Sequence, residues 1–459
     1  MSENTVGLWV PSVVPEILPR PLPPIKEFAL ELQGSCNFGC SDCYMYQGSN
    51  AANRTTHKPF EITTARQLAH RIVEYADSYA DYDDPAYHLD HASFVLHGGE
   101  PLLRMQDVNE VVKTLRDGLS DIKLSFVVQT NGSTLKEGVL AELAELDIGV
   151  GVSIDGMPED HNRSRPLLGG GPSFDRIAEN ITRMREGWPK LFRGILCTMN
   201  KYNMEPPSPE DAERYGCHTK AIPTFRALEQ FRPGLEQFPD DPNAFLNFKF
   251  DFIWPHANWD NPPPLWDPTG RSTPYADYMI ELYEHLFETQ AITYTRIRLL
   301  DAIARGVMNR LGPYKSPAGG EIFGFGDARY LFIEQDGEIR GTDGLKAWHP
   351  NADSIRFGRD GSANVFTHSL REVQEHPVVQ LGIREPRRLS TTCQQCEIVD
   401  ICGGGRASDR QQGGLPDISL GDWGQRAIDE AFKNPSVYCH DYKKLIGYVL
   451  TKASSLSYG

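Results

Sequence analysis

Six short apolar runs recur through the first 256 residues, mostly separated by stretches with helical periodicity, and this alternation restricts the chain to an α/β fold built on a parallel sheet. The runs are 26–33 (KEFALELQ, with Phe28, Leu30 and Leu32 on one face), 92–101, 123–132, 148–156, 192–200 and 248–256. Helices are predicted at 63–76 with Thr63 or Thr64 as N-cap, and at 107–119, 134–146, 173–188 and about 222–232. The sheet is either open or a partial barrel. Polar and glycine-rich residues fall just after the strands, where such folds place their sites.

Around this core lie segments of different character. Residues 1–25 are proline-rich and read as an extended surface segment, 231–247 as an insertion, and 261–274 as a linker. Two amphipathic helices follow at 275–289 and 295–311, then a hairpin over 329–343 turning at Asp336-Gly337. A net charge of −16 repels a phosphate backbone, so no nucleic-acid partner is expected. No run approaches the roughly 18 apolar residues of a membrane span, and the opening residues do not read as a secretory signal. The expected compartment is the cytoplasm. Nine cysteines, an odd number, argue against a disulfide framework there, and seven of them fall into two groups with ligand-like spacing.

Cys36, Cys40 and Cys43 occupy one loop directly after the first strand, with no further Cys or His nearby. A structural zinc wants four ligands, commonly two separated pairs. Three thiols on one loop suit a cubane iron–sulfur cluster with one iron left open. This Cys-x3-Cys-x2-Cys pattern resembles the signature of the radical SAM enzymes. The resemblance implies a partial (β/α)6 barrel over 26–260, bridging segments over 261–311 and a loop-rich α+β domain over 312–459. It also implies that the open iron of a [4Fe–4S] cluster chelates S-adenosyl-L-methionine, whose reductive cleavage yields a hydrogen-abstracting radical. By the same resemblance His97-Gly98-Gly99-Glu100-Pro101 receives the methionine amino group, and Asn131, Ser153 and Asp155 line the ribose and the methionine carboxylate. Arg163 and Arg165 lie where a guanidinium meets that carboxylate, and Tyr44 packs near the adenine in place of the usual aromatic residue, here Asp42.

The second group is Cys393, Cys396 and Cys402, joined by Cys439. Spacing alone leaves a four-cysteine zinc site open. The order Cys-x2-Cys-x5-Cys in such a C-terminal domain resembles the SPASM/twitch extension, which implies auxiliary clusters. Two positions that are cysteine in the full pattern are Thr342 and Arg406 here, so the expectation is a single auxiliary [4Fe–4S] cluster on these four thiols. Alignment on Gly337 puts Asp343 where sulfatase-maturing relatives carry a catalytic Asp, although an Asp before a glycine is also a common turn former. Cys197 and Cys217 read as plain thiols, His97 and His256 receive no role, and the tryptophans of 252–263 read as core.

The motifs CNxxCxxCYxY, LHGGEPLL, VQTNG, VSIDG, PHANWDNPP and NPSVYC together resemble the FxsB-like branch of this family. That branch implies an oxidoreductase acting on a ribosomally synthesised precursor peptide, taking a β-hydrogen and closing a cyclophane-type cross-link from an aromatic ring to a β-carbon. Hydroxylation, epimerisation or thioether formation begins with the same abstraction, and a metal-binding or peptide-carrying protein is the non-enzyme alternative. A flavodoxin- or ferredoxin-type electron donor is implied. With only some 25 residues before the barrel, recognition of a leader sequence falls to the barrel, the helices of 275–311, the C-terminal part or another protein.

Overall fold

The computed structural model describes residues 22–46, 59–238, 248–311, 330–341, 355, 357, 361–376, 379, 389–412 and 433–456. Its strands are β1 Glu27–Gln33, β2 His91–Gly98, β3 Lys123–Thr130, β4 Ile148–Ser153, β5 Phe192–Thr198, β6 Lys249–Ile253, β7 Arg296–Ile297, β8 Tyr330–Ile333 and β9 Ile339–Arg340. They form one sheet in the order β7-β6-β5-β4-β3-β2-β1-β8-β9. Every neighbouring pair is parallel except β8 with β9. The six expected strands are thus present in sequential order, and helices such as Ile62–Asp77, Met105–Gly118 and Phe174–Gly187 make the crossovers that parallel pairing requires.

β1 lies between β2 and β8 and is buried along all but its first residue. The apolar face expected at Phe28, Leu30 and Leu32 is there, and Ala29, Glu31 and Gln33 on the opposite face are covered as well. The helix after the cysteine loop begins at Ile62, and Glu61 stands at its N-cap with no side-chain cap bond. Neither Thr63 nor Thr64 caps it. Thr64 sits inside the helix, and its hydroxyl donates to the Gln335 carbonyl at 3.2 Å, a tertiary tie to the hairpin.

Three segments differ from their sequence reading. The hairpin turns at Asp336-Gly337 as expected, with Gly337 at φ 85°, but its first strand extends the barrel sheet beside β1. No break in the sheet therefore marks residue 312. The end of the N-terminal segment is buried rather than lying over the surface. Leu22 and Ile25 are covered, the Ile25 amide donates to Tyr75 Oη at 3.0 Å, and Tyr79 Oη donates to the Leu22 carbonyl at 2.7 Å. The 261–274 linker and the residues just before it form a strap: Trp259 Nε1 donates to the Pro435 carbonyl and Trp266 Nε1 to the Val437 carbonyl, each at 2.8 Å. These anchors hold it against the residues that precede the helix Cys439–Leu456, which packs on the helix Pro274–Glu288. Among the described residues, no helix is long and apolar enough to cross a membrane.

Candidate active site

The ends of β1 to β6 open onto a cavity of about 700 Å³ lined by Cys36, Cys40 and Cys43. The loop that carries these thiols is fixed from two sides. On one, the Gly99 amide donates to the Gln33 carbonyl at 2.8 Å and the Glu100 amide to the Ser35 carbonyl at 2.9 Å. A Cβ on Gly98, which has φ +130°, would overlap the Gln33 carbonyl, and one on Gly99 would overlap Ser35 and the Tyr46 hydroxyl. On the other, amides of Gly39, Ser41 and Leu168 bond carbonyls of Pro166, Ser164 and Asn37 at 2.8, 3.0 and 2.9 Å. Asn37 also reaches the end of β3, accepting from Asn131 Nδ2 at 2.8 Å and donating to Ser133 Oγ at 2.9 Å. The sequence reading passed over Asn37, and its place between two cysteines was the available signal.

Gly98, Gly99, Asn131, Ser153, Asp155 and Arg165 line the same cavity. The Asp155 carboxylate accepts from the Thr198 amide (3.0 Å), Ser164 Oγ (2.8 Å) and Asn200 Nδ2 (3.2 Å), and pairs with Arg165 Nε at 2.8 Å. Burial opposes the Arg165 charge, but Asp155, Cys40 and Cys43 outweigh it and hold its pKa above the ordinary value. Arg163 does not join them. Its guanidinium turns away to a two-pronged pair with Glu205 at 2.9 and 3.0 Å. Glu100 and Pro101 lie behind the cavity wall. The Glu100 carboxylate is fully buried and accepts from Thr130 Oγ1 (2.6 Å), the Asn131 amide (2.7 Å) and the Leu102 amide (3.2 Å). Burial pushes it up to about 7, against the pull of these three bonds. It thus clamps the ends of β2 and β3 together. Tyr44 opens the 3-10 turn Tyr44–Tyr46, but its side chain, like all of Asp343 and Thr342, lies outside the described residues.

The opposite wall of the cavity includes Trp254, the strap prolines Pro262–Pro264, Tyr442 and Arg406. Arg406 stands where the resemblance wanted a cysteine. Its Nε pairs with Asp409 at 2.8 Å, while Nη1 and Nη2 donate to the Trp254 and Pro255 carbonyls at 3.1 and 2.8 Å. A missing ligand is therefore a structural arginine. Trp254 is buried, as expected, yet also forms cavity wall, stacked on Tyr442 at 4.8 Å.

Cys393, Cys396, Cys402 and Cys439 share a second, small pocket with Gly404 and Lys443. Cys393 is set by the Ser390 cap, whose Oγ accepts its amide at 3.2 Å, and Cys439 begins the C-terminal helix. Burial pushes the Cys36 thiol up to about 12 and Cys439 up to about 11, with neighbouring thiols adding to both shifts. Several thiolates kept together in such surroundings call for a polycationic partner. A tetrahedral zinc with Zn–S of about 2.3 Å holds its sulfurs about 3.8 Å apart. Among the described residues, neither cysteine set brings three donor atoms within 4.8 Å of one another. The donor chemistry, three thiols at one cavity and four at the other, fits an iron–sulfur cubane at both places.

Residues 30–207 match the family model described as the Radical SAM superfamily. Residues 30–207 are a radical SAM domain. The cofactors of this domain are S-adenosyl-L-methionine and a [4Fe–4S] cluster. An uncharacterized protein of Methanocaldococcus jannaschii is 29% identical over 150 residues, 32% of this chain and 45% of that protein. A cysteine-type anaerobic sulfatase-maturating enzyme of Clostridium perfringens is 25% identical over 180 residues, 39% of this chain and 45% of the relative. A serine-type enzyme of Bacteroides thetaiotaomicron is 27% identical over 176 residues, 38% and 39% of the two chains. Each match thus spans less than half the length of these three curated relatives. The solved structure of native anSMEcpe with bound AdoMet covers 94% of this chain and 98% of its own, with a TM-score of 0.63 and 18% identity, a likeness of fold. The residues matched by the family model include the first cysteine set, and the likeness of fold covers 94% of the chain.

Proposed function

We propose that the chain is a radical SAM oxidoreductase that matures a ribosomally synthesised precursor peptide by closing a cyclophane-type cross-link. The supporting observation is one continuous cavity that runs from Cys36, Cys40 and Cys43 to a wall made of the proline strap, Trp254, Arg406 and Tyr442. Bound S-adenosylmethionine and its cluster supply the hydrogen-abstracting 5′-deoxyadenosyl group. Asn131, Ser153 and Arg165 orient the cofactor from the strand ends. The strap and the stacked Trp254 and Tyr442 keep water from the far side, where an extended peptide enters. Arg406 spends three of its five N–H groups on the protein, which leaves two for peptide carbonyls. Asp343 takes the proton lost as the aromatic ring is restored, and Cys393, Cys396, Cys402 and Cys439 hold one auxiliary cluster. A flavodoxin- or ferredoxin-type protein supplies the reducing electrons.

A second reading, oxidation of a Cys or Ser side chain to an aldehyde, is favoured by the similarity to sulfatase-maturating enzymes. Arg406 at a position expected to hold a further cluster ligand weighs against it. Co-expression with a candidate precursor peptide, followed by peptide mass measurement, separates these outcomes. Loss of two hydrogens that disappears when Cys36, Cys40 and Cys43 are changed to Ala supports the cross-link. A gain of one oxygen points to hydroxylation and an aldehyde to the second reading. An unmodified peptide beside iron-loaded enzyme rejects that peptide as substrate.

A further inference from the structure

Three consecutive glycines follow Cys402, and all three adopt the left-handed region, with Gly403 at φ 59°, Gly404 at 89° and Gly405 at 74°. The Gly403 and Gly405 amides are spent on the Val399 and Cys402 carbonyls, at 2.8 and 3.0 Å, which leaves the Gly404 amide, and Gly404 lines the second cysteine pocket. There is no room for side chains on Gly404 or Gly405. A Cβ on Gly404 would stand 2.7 Å from Leu389 and 3.1 Å from Nη1 of Arg410, and one on Gly405 would stand 2.8 Å from Ser436.

Two cations flank this turn. Arg410 is only 6% exposed and lays its guanidinium against Gly404, which lines the second cysteine pocket. Lys443 lines that pocket directly, one helical turn after Cys439. Net charge and hydrogen bonds to the sulfurs are what set an iron–sulfur potential.

We propose that the turn Gly403–Gly405, with Arg410 behind it and Lys443 at its mouth, is a charge-compensating cradle that raises the reduction potential of the auxiliary cluster. The inference rests on the reading that the second cysteine set holds an iron–sulfur cluster. It gives that site the character of an electron acceptor for the modified peptide, as opposed to a low-potential relay toward S-adenosylmethionine.

The test is an EPR-monitored redox titration of the full chain carrying Cys36→Ala, Cys40→Ala and Cys43→Ala, reconstituted with iron and sulfide, with no peptide present. Lys443→Glu is expected to lower the midpoint, Lys443→Gln to lower it less, and Lys443→Arg to restore it. Raised salt shrinks the Lys443 effect, because that side chain is exposed. Arg410→Gln lowers the midpoint by more, being buried, and should it fail to fold the Lys443 series still decides. Unchanged midpoints in Lys443→Glu and Lys443→Gln overturn the cradle while leaving the cluster assignment intact. Absence of any cluster signal in the triple-Ala parent, beside normal loading of the unsubstituted chain, overturns the cluster assignment itself.

Discussion

Four donors converge on the Asp155 carboxylate, and the backbone amide of the same residue donates to His161 Nδ1 at 3.0 Å. Ser173 Oγ gives its own proton to the Arg165 carbonyl at 2.6 Å, so His161 Nε2, 3.1 Å from that oxygen, carries the hydrogen. His161 is fully buried, and desolvation lowers its pKa to about 4 from the usual 6.5. Below about 6.5 the unfolded chain binds a proton that the folded chain refuses, so stability falls as pH drops from 6.5 toward 4 and levels off beneath that. The shift is equivalent to about 3 kcal/mol. Urea unfolding at several pH values, compared with His161→Gln, should show the wild type losing its advantage over this window. A pH-independent difference between the two proteins would sink the assignment. Asp155 and Arg165 were marked in the sequence by the family resemblance, at and beyond a strand end where α/β sites form. His161 was not, since a histidine inside a helical stretch shows its partners only once β4 and the Ser173 turn are packed against it.

At the scale of elements, the strands were legible because apolar runs bounded by glycine and polar turns leave few alternatives. The pairing of β8 with β1 was not, because it joins residues about three hundred positions apart and no local pattern encodes such a partner. The strap at 261–274 was misread for a similar reason: its proline content marks irregular backbone, while its role depends on two tryptophan anchors to Pro435 and Val437. The Gly98-Gly99 pair joins β2 to the cysteine loop, so its glycines answer to packing as much as to cofactor. Gly99→Ala forces the end of β2 away from Ser35 and Tyr46. The expected result is loss of roughly one cluster's worth of iron, about four atoms per chain, with far-UV circular dichroism unchanged. Full iron content in the variant would show that the loop tolerates the displacement and is held chiefly by its contacts with 164–168.

For the whole molecule, the question is what couples the barrel sheet to the C-terminal cysteine site, and Arg406 supplies two hydrogen bonds between them. It joins Asp409 on the C-terminal side to the carbonyls that follow β6, and Tyr438 Oη donates to one of these, on Pro255, at 2.7 Å. Asp409 is fully buried, and burial raises its pKa against the pull of Arg406. Arg406→Met removes that counter-charge and leaves a carboxylate with no solvent to receive it, a loss of about 3–5 kcal/mol for a broken buried pair. Arg406→Met with Asp409→Leu removes both charges. What remains is the Trp254 carbonyl without its donor, since Pro255 keeps Tyr438, and one unsatisfied buried acceptor costs about 1–3 kcal/mol. The double variant should therefore be more stable than Arg406→Met alone, a non-additivity that denaturant unfolding followed by tryptophan fluorescence can measure. Trp254, stacked on Tyr442 at this junction, is placed to report it. If the two substitutions simply add, the pair does not act as a unit, and the coupling must then reside in the aromatic stack and the anchored strap.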